Sequence, residues 1–197
     1  MMVRLALIRH APTEWNALNR IQGCSDIELS AEGRRRAKSW MLPAALDGFA
    51  WVCSPLKRAM QTARLLGAPV DCPTDPRLQE ADWGEWEGRV LPELRAELGE
   101  AMVRNEARGL DLRPPGGESP REVCERLRAF VQDIASGGRD TVAVTHNGIL
   151  RASYSIATGW DFKSKPEAVL RWGAAYLYDA AADGGLTVRQ LNINLSP

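Results

Sequence analysis

Both histidines of the chain close a short apolar run. His10 follows Val3-Arg4-Leu5-Ala6-Leu7-Ile8-Arg9, and His146 follows Thr141-Val142-Ala143-Val144-Thr145. Apolar runs of this length read as buried strands. Between them, strand-like and helix-like segments alternate, which predicts a mainly parallel sheet with helices on both faces. In such folds ligands bind beyond the carboxyl ends of the strands. Both histidines belong there, and imidazole is the side chain that exchanges protons near neutral pH. Two of them, with arginines nearby, suggest a catalytic pair.

The remaining elements follow from punctuation. Ser30 is an N-cap, with Glu32 in the first turn of a helix running toward Leu46 and limited by Pro43. Ala50 to Cys53 is a second strand. Ser54-Pro55 predicts an N-cap and an N1 proline for a helix through Leu66, stopped at Gly67. Val70 to Cys72 is a short strand candidate, and Leu91 to Arg108 reads as helical. Ser119-Pro120-Arg121-Glu122 is a capping box. The helix behind it buries Val123, Leu127, Phe130 and Ile134, and Gly137-Gly138 ends it. A helix from about Gly148 to Ala157 follows His146. Ala174 to Tyr178 and Leu186 to Ile193 predict an edge pair around the Asp183-Gly184-Gly185 turn.

Bulk properties narrow the classes. A chain of 197 residues fits one domain. The formal net charge is zero, so nothing global points to nucleic acid or an anionic membrane. No apolar run is long enough to span a bilayer, and Met1 to His10 is too short and too charged for a signal peptide. The expectation is a cytoplasmic protein with no nucleic-acid or membrane partner. Cys24, Cys53, Cys72 and Cys124 are scattered and read as free thiols, Cys53 and Cys124 as small core residues. Two isolated histidines make no zinc pattern. Arg34-Arg35-Arg36 is a solvated helix face, and Trp83 and Trp86 are packing residues. Ser54-Pro55-Leu56-Lys57 also fits the S-x-x-K of serine acyl-enzymes, but its partner motifs are missing.

A phosphoryl-transfer site needs a nucleophile, donors for the non-bridging oxygens and an acid for the leaving oxygen. Imidazole is a competent nucleophile, and arginine's planar fork suits phosphate. Arg9-His10-Ala11-Pro12-Thr13-Glu14-Trp15-Asn16 resembles the R-H-G-x-T-x-W-N signature of the histidine phosphatase superfamily, the phosphoglycerate-mutase-like proteins. Arg20-Ile21-Gln22-Gly23, Asp26, Leu29 and Gly33 continue the pattern. Ser54-Pro55-Leu56-Lys57-Arg58-Ala59-Met60-Gln61-Thr62-Ala63 is similar to its S-P-x-x-R-A-x-Q-T-A segment. Leu78 to Gly88 resembles L-x-E-x-x-x-G-x-W-E-G, and Pro115 to Ser119 and Val144 to Gly148 complete the set.

The resemblance implies a three-layer α/β/α fold in one domain, 1–197, with a small cap inserted at about 82–118. It implies that His10 becomes phosphohistidine, that Arg9, Arg58 and His146 bind the phosphoryl group, and that Asn16 adds a hydrogen bond. Glu80 is implied as general acid and base, in competition with Asp82, Glu85 and Glu87. No metal or cofactor is implied, the substrate is a small phosphate ester, and a homodimer is left open. Ala11 replaces the family's glycine, and Asn147-Gly148 replaces its commoner Gly-Gly or Gly-Asn. Only about 30 residues separate Gly88 from Ser119, and the chain ends soon after the last strand. Both features favour a phosphatase of the α-ribazole or broad-specificity type. A cofactor-dependent phosphoglycerate mutase and a non-catalytic phosphoryl-binding module are the alternatives.

Overall fold

The computed structural model describes residues 2–196. Its centre is a five-stranded sheet in the order β2-β3-β1-β4-β5: β1 is Met2–Arg9, β2 Ala50–Cys53, β3 Thr141–Thr145, β4 Ala174–Ala181 and β5 Leu186–Asn194. β2, β3 and β1 run parallel, while β4 is antiparallel to β1 and β5 antiparallel to β4. Residues alternate between faces along a strand, and β1 divides its side chains accordingly. Leu5 and Leu7 pack against α6 (Pro120–Gly137) and α7 (Asn147–Thr158). Ala6 and Ile8 pack against α2 (Ala31–Ser39) and α3 (Lys57–Leu65). Burial of both faces explains the unbroken apolar runs and gives the three layers.

A third, smaller cluster joins Trp86, Leu94 and Met102 with partly buried Ile21, Trp83 and Leu112. It lies in the segment carrying α4 (Leu91–Leu98) and α5 (Glu100–Glu106); a short helical turn, α1, spans Glu14–Ala17. Among the described residues no helix is long and apolar enough to cross a membrane.

Several expected boundaries move. The helix from Ser30 stops at Ser39, because Trp40 turns extended and buries its indole in the core; Leu46 reaches the same core from a separate 3-10 turn after Pro43. The expected helix 91–108 breaks at Gly99, whose φ of +49° and ψ of −124° suit glycine. Ser54 caps no helix. α3 begins at Lys57 after an uncapped Leu56, and the Asp26 carboxylate accepts the Lys57 N–H at 2.7 Å. Val70 to Cys72 is a turn, with Val70 exposed, and the adjoining backbone makes one bridge, Cys53 to Thr74. β4 is interior to the sheet, so of this pair only β5 is an edge, with β2 at the opposite edge. The capping box at Ser119 and the left-handed Gly138 stop of α6 form as expected, with Ile134 half-buried.

Candidate active site

Strand register brings the two histidines together. Arg9 lies beside Thr145 across the β1–β3 pair, and the His10 N–H donates to the Thr145 carbonyl at 2.8 Å. The next residue of each strand is a histidine, and the two rings sit 5.1 Å apart. β2 delivers Ser54 to the same edge through a 2.9 Å bond from its N–H to the Val144 carbonyl.

Hydrogen bonds fix both tautomers. His10 Nδ1 lies 2.7 Å from the Ala11 carbonyl oxygen, which can only accept, so Nδ1 carries the proton and Nε2 keeps its lone pair. Burial, with the charges of Arg9 and Arg58, holds His10 well below the ordinary imidazole pKa. His146 Nδ1 accepts from Arg58 Nε at 3.2 Å, so its proton is on Nε2, which lies 2.7 Å from Ser54 Oγ. Burial and the same arginines hold His146 well below its ordinary value too. Both of its ring nitrogens are thus engaged with protein groups.

The arginines are held differently. Arg58 is fully buried, and its Nη1 and Nη2 donate to the carbonyls of Ser25 and Gly23, each at 2.7 Å. Thr62 accepts from the Ala11 N–H at 3.0 Å, tying α3 to the residue after the histidine. Arg9 makes no side-chain hydrogen bond among the described residues, and its Nε is buried without a partner. Its guanidinium lies 3.6 Å from the centroid of the Trp172 ring, which also meets His10 edge-on at 5.9 Å. Burial pushes the Arg9 pKa down to about 10, still cationic at neutral pH. Ala11 is fully buried and is not among the residues with positive φ, so alanine stands there without backbone strain.

Glu80 follows a 3-10 turn over Pro76–Leu78. Its Oε1 accepts from the Gly148 N–H at 2.8 Å and from the Ala81 N–H at 3.0 Å. A Cβ at position 148 would lie 2.2 Å from that oxygen, so a side chain there would push the Glu80 carboxylate out of this position. Arg126 clamps the same stretch by donating to the carbonyls of Arg77, Gln79 and Glu80 at 2.6, 3.0 and 3.2 Å. Thr145 Oγ1 adds a 2.8 Å bond to the Leu78 carbonyl. Asn16 is a half-buried capping residue whose Oδ1 accepts from the Thr13 backbone N–H at 3.0 Å.

Ser54, Arg126 and Trp172 join the expected residues around the site. Glu87, one competitor for Glu80's role, is committed to a loop: its oxygens accept from the N–H groups of Cys24 and Ser25 at 2.7 and 2.9 Å. It also lies close to Cys24 and Asp82, with donor atoms within 4.8 Å of one another, a grouping their separation in sequence conceals.

An α/β sheet with paired histidines and arginines at its carboxyl edge has relatives. The profile of the histidine phosphatase superfamily (branch 1) matches residues 5–193, and the chain belongs to that superfamily. The chain is 31% identical over 191 residues to a 2,3-bisphosphoglycerate-dependent phosphoglycerate mutase of Methylobacterium radiotolerans, covering 91% of this chain and 90% of that protein. It is 30% identical over 165 residues to phosphoserine phosphatase 1 of Hydrogenobacter thermophilus, covering 81% and 78%. A solved phosphoserine phosphatase from Entamoeba histolytica, in complex with 3-phosphoglyceric acid, superposes with a TM-score of 0.79 at 25% identity over 96% of each chain.

Proposed function

We propose that the protein is an enzyme that hydrolyses small phosphate monoesters through a phosphohistidine on His10. The observation that carries this is the His10 tautomer: a buried, neutral imidazole whose Nε2 lone pair is unprotonated beside two arginines. In the first step Nε2 forms a bond to phosphorus and the P–O bond to the alcohol breaks. Glu80, protonated, gives its proton to the leaving oxygen. In the second, Glu80 as carboxylate takes a proton from water, whose oxygen attacks phosphorus and breaks the P–N bond. Inorganic phosphate leaves and both side chains are restored.

Arg9 has free donors for the phosphoryl oxygens, and Arg58 supplies fixed positive charge. For His146 to donate to the phosphoryl group, Nδ1 must gain a proton and give up its bond from Arg58; Ser54 then anchors the other side of the ring. Asn16 keeps its amide NH2 for the same group while Oδ1 caps Thr13. Residues 82–118 act as a cap over the leaving group, within a single domain. We place the protein in the cytoplasm.

Phosphoryl exchange is the second reading, favoured by the mutase relative, which matches this chain over nearly its whole length. Length therefore does not separate the two activities. A panel of sugar phosphates, phosphoglycerates, nucleotides and α-ribazole phosphate tests the choice. Phosphate release from several of them is expected. Bisphosphate-primed interconversion of 2- and 3-phosphoglycerate with negligible hydrolysis would overturn it.

Gly148 offers a separate check. Gly148→Ala is expected to lower kcat by about 10²–10⁴-fold, the scale of a misplaced general acid. KM and Tm should change little, because the added methyl meets Glu80 rather than the core. Steady-state kinetics with thermal unfolding measures both, and an unchanged kcat would show that the Gly148 contact does not set the position from which Glu80 acts.

A further inference from the structure

We infer that Arg151 forms a second anion subsite, reading a negatively charged group on the alcohol half of the ester; this rests on the hydrolase reading above. Glu80 lines one part of a cavity of about 560 Å³ between the cap and α7. Trp83, Trp86, Met102 and Phe162 give it apolar walls, and Arg151 is one of its cations. Of the other cations in the lining, Arg95 pairs with Glu106 at 2.7 Å, Lys163 lies 3.9 Å from Asp161, and Lys165 is exposed to solvent, where its charge is already hydrated. Arg151 makes no hydrogen bond or ion pair among the described residues, and its Nε is buried without a partner. Its Nη groups, which are also unbonded and are not buried, are the donors an anion in the cavity would meet.

The local structure holds that guanidinium ready. It lies 5.1 Å from the Trp160 ring centroid and 5.0 Å from that of Phe162, and those rings stack on each other at 4.0 Å. Both ring centroids are within cation–π range of the guanidinium, a contact that uses none of its N–H donors. Arg151 also stands three residues after Gly148 on α7, on one face of that helix. The Gly148 N–H holds Glu80. The acid that protonates the leaving oxygen and the unmet cation are therefore neighbours. An alcohol departing toward Glu80 carries its next substituent toward Arg151. The competing role for Arg151 is a counter-charge for Glu80, which would act on every ester alike.

The test compares kcat/KM within two ester pairs. In the first, 3-phosphoglycerate replaces an alcohol of glycerol 3-phosphate with a carboxylate. In the second, fructose 1,6-bisphosphate adds a phosphate to fructose 6-phosphate. The wild type is expected to favour the anionic member of at least one pair by about 10–100-fold, the range of a charge-assisted hydrogen bond. Which pair responds identifies the anion. Arg151→Gln should bring the ratio to about one, and Arg151→Lys should keep part of it. Each ratio is taken on one sample, so loss of folded protein does not move it. The preference should also shrink at high salt.

Equal rates on both members of each pair would overturn the subsite and leave hydrolysis standing. So would a preference that survives unchanged in Arg151→Gln, or a pH profile displaced equally for charged and neutral esters. Failure to release phosphate from any of the four, or from p-nitrophenyl phosphate, would overturn the hydrolase reading and the subsite with it.

Discussion

His10→Ala is expected to abolish turnover, lowering kcat by on the order of 10⁴-fold or more, as removal of a covalent nucleophile does. It should also remove the acid-labile phosphoenzyme trapped from a labelled ester. The reason lies in the strand-end geometry. Nδ1 is tied to the Ala11 carbonyl, so only Nε2 can attack, and no other side chain at the site offers a free nitrogen lone pair. Persistence of the labelled intermediate in the variant would displace His10 from this role. The neutral state is itself measurable. With two imidazoles in the chain, an NMR titration reads both, and each should titrate well below 6.5. A midpoint at or above 6.5 for His10 would contradict its poise as a nucleophile. The sign for stability follows: the unfolded chain binds protons that the folded one resists, so stability falls as pH drops below the unfolded value near 6.5.

The sequence marks the residues proposed to react more clearly than the parts that hold them. Motif spacing singles out His10, His146, Arg58 and Glu80, and strand patterning sets their depth at the sheet's carboxyl edge. The supports depend on contacts that spacing cannot reveal. Ser54 reaches His146 across 92 positions, and Arg126 reaches the Gln79 and Glu80 carbonyls across 47 and 46. Serine before proline reads locally as a cap, yet its hydroxyl serves a histidine from another strand. Helix ends shift for a similar reason. Burial of Trp40 ends α2 before Pro43 can, and local punctuation does not record burial. Asn16 shows the reverse case, a motif residue whose carbonyl also has a purely local capping duty. Gly148 is legible only once Glu80 is seen against its nitrogen.

Glu80→Gln isolates the proton from the geometry. Glutamine keeps an Oε1 that can accept from the Gly148 and Ala81 N–H groups, so the segment held by Arg126 stays in place. What it cannot do is give a proton to an alkoxide or take one from water. Alkyl phosphates should therefore lose about 10²–10⁴-fold in kcat. p-Nitrophenyl phosphate should behave differently, because its phenol leaves as a stable anion and needs no acid. For that ester the first step survives while water attack on the phosphohistidine is slowed. A burst of p-nitrophenol matching the enzyme concentration should precede a slow steady state, with phosphoenzyme accumulating. The same substrate on wild type should show less burst, since Glu80 there speeds water attack on the phosphohistidine. Equal losses on alkyl and aryl esters, with no burst, would instead make Glu80 a positioning residue. The acid would then be sought at Asp82 or Glu85, because Glu87 is held by the Cys24 and Ser25 backbone.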